Sequence, residues 1–111
     1  MVRQDNVEIY KLKAQLCKTF SDYKRLMILN ELRGGERTVG DLVKTLQIPQ
    51  AVTSRHLAVL RNGGVVSARR EGTNIYYKLT DPKIAEACDI VHEVLLNQWA
   101  NNRKLAETLI T

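Results

Sequence analysis

The side chains with chemistry to offer fall into two sets of different kinds. Gln50, Ala51, Ser54 and Arg55, followed by Ala58 and Arg61, recur at helical spacing within IPQAVTSRHLAVLR, residues 48–61, and Asn62 follows directly. Amide, hydroxyl and guanidinium groups donate to and accept from base edges. Alanines between them keep such a helix slim enough for a DNA major groove about 12 Å wide. The second set is Cys17, Cys88 and His92. Cys88 and His92 stand four apart and so share a helix face. Thiolate and imidazole brought together can hold a soft metal or metalloid, and the two cysteines can instead join as a disulfide. Against both stands a plainer reading, in which free cysteine packs as a small hydrophobe and is reactive only with a depressed pKa and access. Grouped catalytic residues are missing: the chain holds no CxxC, HExxH, GxGxxG, phosphate-binding loop or nucleophile elbow, and its two histidines stand on separate helices. Enzymatic activity is therefore not expected.

The elements that must position these groups follow from periodicity. Thr53, Leu57 and Leu60 form the narrow apolar stripe that docks the 48–61 helix on a core. Pro49 suits its first turn, where a missing N–H costs nothing. Upstream, residues 7–20 predict a helix with two apolar rows, Ile9, Leu12, Leu16 and Phe20 on one and Tyr10, Ala14 and Cys17 on the other. Two rows predict two neighbours, one of them in a partner chain. Ser21 or Asp22 caps a second helix running to about Arg33, with Leu26, Leu29 and Leu32 as its core residues and Met27 and Ile28 widening the stripe; Gly34-Gly35 ends it. Thr38-Val39-Gly40-Asp41 has the form of a capping box and opens a third helix that buries Val39, Leu42, Val43 and Leu46. Only a few residues separate it from the 48–61 helix, which is helix-turn-helix spacing.

After Asn62-Gly63-Gly64 the period drops to two. Val66, Ala68 and Arg70 alternate with Ser67 and Arg69, Glu71-Gly72-Thr73 turns, and Ile75, Tyr77 and Leu79 alternate with Tyr76 and Lys78. This predicts a two-stranded hairpin with a charged tip, either a wing touching DNA backbone or a solvated edge that discourages sticking. Thr80-Asp81-Pro82 opens a last helix with Ile84, Ala87, Cys88, Val91, Leu95 and Gln98 on one stripe, broadened by Val94, Leu96 and Trp99. So long an apolar face at the end of a small domain implies a second subunit.

Composition agrees. A chain of 111 residues, 44% hydrophobic, builds one domain. Its net charge is +5 and its pI about 9.4, which favours an anionic partner. Residues 49–78 carry five basic side chains against Glu71 alone, residues 1–48 nine against six, and residues 80–111 three against five. The positive excess is densest on the stretch expected at phosphate, and the last segment, expected at a subunit interface, is mildly acidic. Charges throughout residues 1–16 exclude an apolar secretory core, and no run is long enough to span a membrane, so a cytoplasmic location is expected. Two distant cysteines make no disulfide framework.

The order helix, helix, helix-turn-helix, hairpin, helix resembles the winged-helix repressors of the ArsR/SmtB family. The resemblance is carried by Arg25-Leu26 with Ile28-Leu29, Gly40-Asp41-Leu42, Ser54-Arg55-His56-Leu57 with Val59-Leu60, and Arg69-Arg70-Glu71-Gly72 with Tyr76-Tyr77-Lys78-Leu79, over about residues 10–93. It implies a mainly α, winged helix-turn-helix domain over residues 1–111, dimerising through about residues 7–20 and 81–100. It also implies a homodimer that binds an imperfect inverted repeat of double-stranded DNA and represses transcription until an inducer weakens the complex. The base-reading positions would be Gln50, Ala51, Ser54 and Arg55, with Arg69 and Arg70 in the wing; Pro49 and Ala51 stand where the family commonly has serine. His56, beside the buried stripe, would have a hydrogen-bonded structural or phosphate-contacting role. The usual metal and thiol sites do not match: residues 38–42 hold no cysteine, Asp89 and His92 have the wrong spacing, and Asn30 and Leu96 stand where a thiol pair would be. The rival reading is a winged helix that docks proteins without reading DNA, and steep salt dependence of DNA binding separates the two.

Overall fold

The computed structural model describes residues 4–100 and 107–109. The chain runs α1 (Gln4–Thr19), α2 (Tyr23–Leu32), β1 (Arg37–Thr38), α3 (Val39–Leu46), α4 (Gln50–Asn62), β2 (Val66–Glu71), β3 (Asn74–Leu79) and α5 (Lys83–Trp99). Its local punctuation follows from side-chain chemistry. Asp22, in extended backbone, accepts from the backbone N–H groups of Lys24 at 2.8 Å and Arg25 at 3.3 Å, satisfying donors that open α2. At α3 both halves of the capping box form: Asp41 N donates to Thr38 Oγ1 and Thr38 N to Asp41 Oδ2, each at 3.1 Å.

The turn into α4 is fixed on both sides. Gln47 closes α3 in the left-handed region, φ 58°, with its N–H on Val43 O at 2.9 Å. Ile48 is buried, and Pro49 occupies the N-cap, one position before the first helical turn expected for it. Buried Thr53 ties the corner down, its Oγ1 3.3 Å from Ile48 O and 3.1 Å from Pro49 O.

The sheet has three strands where the sequence predicts two. β1 pairs antiparallel with β3, Arg37 opposite Tyr77 and Thr38 opposite Tyr76, giving the order β1-β3-β2. Two residues are too few to show a period of two, so β1 left no signal. The expected hairpin is otherwise present, with Val66 opposite Leu79 and Glu71 opposite Asn74. Gly72 turns it at φ 62°, which glycine adopts without steric cost.

Ile28, Leu29, Leu32, Leu42, Leu57, Leu60, Val65 and Val66 form the core, with Phe20, Val39, Leu46, Tyr77, Leu79 and Ile84 packed around it. In α2 the expected roles are exchanged: Ile28 is fully buried, whereas Leu26 and Met27 stay 43% and 39% exposed. The helix turns Ile28, Leu29 and Leu32 onto α3 and α4, leaving Leu26 to line a groove beside α5. Neither α1 nor α5 buries the whole of its apolar face. Leu12 and Tyr10 on α1, and Ile90 and Val91 on α5, are 55% to 67% exposed. These outlying helices raise the radius of gyration to 16.4 Å, against about 13 Å for a compact domain of this length.

Candidate nucleic-acid interface

Helix α4 divides as its sequence predicts. Thr53, His56, Leu57 and Leu60 are buried, while Gln50, Ala51, Ser54, Arg55, Ala58, Arg61 and Asn62 are all exposed on the other side. Among the described residues no side chain caps the N-terminus of α4, and Pro49 brings no N–H, so the first-turn amides of Gln50 and Ala51 remain open at the positive end of the helix dipole. The strip therefore presents amide, hydroxyl and guanidinium groups on a narrow helix.

Behind it lies a polar joint that the sequence only hinted at. Arg25 Nε donates to Thr19 O at 2.7 Å and Nη2 to Lys18 O at 3.2 Å, closing the C-terminus of α1. Its Nη1 lies 3.4 Å from His56 Nδ1. Arginine has only donors, so Nδ1 accepts and the neutral ring carries its proton on Nε2, which is 3.9 Å from Asp22 Oδ1. Burial pushes the His56 imidazole below its ordinary pKa; Asp22 opposes the shift, and Arg25, Arg55 and Lys24 reinforce it. The Asp22 carboxyl, despite the cost of desolvation, is held below its usual range by the backbone donors of Lys24 and Arg25 and by His56. Thr19 completes the joint. A Cβ placed on Gly63, which caps the C-terminus of α4, would lie 2.5 Å from Thr19 Oγ1 and 2.6 Å from Cγ2. His56 thus belongs to the inside of the molecule and joins α2 to α4.

The wing's two arginines differ. Arg70 is exposed and makes no hydrogen bond or ion pair among the described residues. Arg69 is engaged three times. Its Nε and Nη2 form a fork on the Glu36 carboxylate at 2.8 to 3.1 Å, its Nη1 donates to Glu71 Oε2 at 2.6 Å, and its guanidinium stacks 4.6 Å from the Tyr76 ring centroid. The hydrogen bonds that Arg69 donates to Glu36 and then to Glu71 make it more basic still, and the contact with Glu36 lowers that carboxyl. Both expected wing residues are where the hairpin register predicts, but only Arg70 has an uncommitted charge.

Of the three candidate sensor residues the fold brings two together. Cys88 and His92 line an apolar groove of about 380 Å³ between α2 and α5 with Phe20, Leu26, Val91 and Leu95, and a second, more polar recess with Asn30, Arg33 and Asp89. Cys17 is exposed on α1 and lines neither. Burial raises the Cys88 thiol pKa, which disfavours the nucleophilic, metal-binding thiolate. Arg33 occupies both Asp89 oxygens, at 3.2 and 2.8 Å, and so fastens α5 to α2. No group of three or more His, Cys, Asp or Glu among the described residues is arranged to hold a metal ion.

The family model for bacterial regulatory proteins of the arsR family matches residues 22–68. The biofilm growth-associated repressor of Xylella fastidiosa is 36% identical over 98 residues, spanning 88% of this chain and 86% of that one. The chain belongs to the arsR family. An HTH-type transcriptional regulator of Methanocaldococcus jannaschii is 37% identical over 89 residues, 79% of this chain and all of that one. Among solved structures, the homodimeric winged helix-turn-helix DNA-binding domain from Mycobacterium bovis superposes with a TM-score of 0.75 at 30% identity, covering 84% of this chain and 86% of the other. The fold is accordingly the family's winged helix-turn-helix: α3 and α4 are the helix-turn-helix, and β2 and β3 form the wing.

Proposed function

We propose that this arsR-family protein is a homodimeric transcriptional repressor that reads an inverted-repeat operator in the cytoplasm, with no catalytic activity of its own. The observation that carries the reading is the clean division of α4, whose buried side is anchored by Thr53, His56, Leu57 and Leu60 and whose opposite side offers Gln50, Ala51, Ser54 and Arg55 to solvent. These four are the proposed base-reading residues, with wing arginine at the backbone. Repression is supported by the likeness to the Xylella repressor, and pairing by the homodimeric Mycobacterium structure together with the open apolar faces of α1 and α5. Within the described residues no helix is long and apolar enough to cross a membrane.

The test is selection of bound duplexes from a random pool by the purified protein, followed by affinity at several salt concentrations. A symmetric selected site and a steep fall of log K with log salt are expected. A protein-docking winged helix would select no site and show a shallow salt response.

A further inference from the structure

Arg69 stands on β2, opposite Tyr76 of β3, and its side chain crosses that ring to reach Glu36, the residue before β1. Since β3 lies between β1 and β2, the side chain spans the full width of the sheet. Its Nε, Nη1 and Nη2 are all donating, to two carboxylates that together carry one more unit of charge than the guanidinium. A cation so held offers a phosphate little net attraction, and pulling it free would leave the Glu36 and Glu71 carboxylates without their hydrogen-bond donor beside DNA, with Lys78 the remaining cation acting on Glu36. Forked pairing within a network is the circumstance in which a surface ion pair fixes geometry. Arg70, the next residue along the strand, is directed to the other face and is unpaired among the described residues.

We infer that Arg69 is a positioning residue which braces the wing against the α2–β1 connection through Glu36, and that of the wing's two arginines only Arg70 contacts phosphate. Glu36, outside the wing, thereby becomes a determinant of DNA affinity.

The inference rests on the DNA-binding reading, and the two fail differently: a wild-type protein whose DNA binding ignores salt defeats that reading before any variant is made. Given salt-dependent binding, the full-length dimer is tested on a duplex selected by the wild type and on random duplex of equal length. Arg70→Ala is expected to flatten the slope of log K against log salt by about 1.8, one phosphate's worth for each of the dimer's two wings. Glu36→Gln and Arg69→Lys are expected to keep the wild-type slope while lowering affinity for the selected duplex by about fivefold. Thermal melting of each variant confirms that it is folded, and Glu36→Gln keeps the test informative if Arg69 variants melt early. The decisive arm is Glu36→Gln. If Arg69 were a phosphate contact restrained by Glu36, that change would free it, raising affinity and steepening the slope, and the inference would be overturned. Unchanged affinity in Glu36→Gln would equally overturn it, because the brace would then set nothing that DNA senses.

Discussion

Arg55 and His56 are neighbours on α4, one exposed and one buried, and they call for different experiments. Arg55 is exposed on the reading face, where a bidentate contact to a base edge contributes discrimination and little else. Arg55→Ala is expected to cost about 1–3 kcal/mol on the selected operator and much less on random duplex. Equal losses on both would remove it from base reading. His56, buried against Arg25, acts on stability. Its folded pKa is depressed, so the unfolded chain binds the proton more readily. The stabilising contribution is complete above about pH 6.5 and is lost as pH falls below that value toward the lower folded pKa. Urea unfolding at a series of pH values should show this decline, and His56→Gln, though weaker throughout, should lack it. A variant retaining the full decline would place the titration elsewhere.

At the scale of elements, the junction of α1 with α4 is a steric fit. The Cβ of Gly63→Ala would sit inside contact distance of both Thr19 branches, and a β-branched side chain has little rotamer freedom with which to retreat. The expected cost is about 1–3 kcal/mol, several degrees in melting temperature. Thr19→Ala removes both branches, so calorimetry on the double variant should show it less destabilised than the sum of the single changes. Additive losses would mean that the clash is not the cause. The sequence made the capping box of Thr38 and Asp41 and the buried side of α4 legible because both are local, set by neighbours three or four residues apart. It left β1 unread because two residues carry no period, and it exchanged Leu26 for Ile28 because a wide apolar arc does not say which of its sides meets α3 and α4. Arg69 appeared as a wing cation because its partner Glu36 is 33 residues away, beyond any local pattern.

At the scale of the whole molecule, the single chain is a plate of 49 × 45 × 22 Å whose first and last helices hold their apolar sides in water. Val91→Glu places a charge in the proposed subunit contact without touching the core, since Val91 is 67% exposed. Sedimentation should show the variant shifted toward monomer with operator binding lost, and a dimer of undiminished affinity would place the interface elsewhere. The wild type carries the same dependence in milder form. Because the proposed pairing would cover surface that one chain leaves wet, mass action would tie folding to association, and the melting temperature should climb as protein concentration rises. Copy number then sets more than occupancy of the operator. When few molecules are made, fewer of them persist in the form that binds at all, so the response to changing expression is steeper than one-to-one.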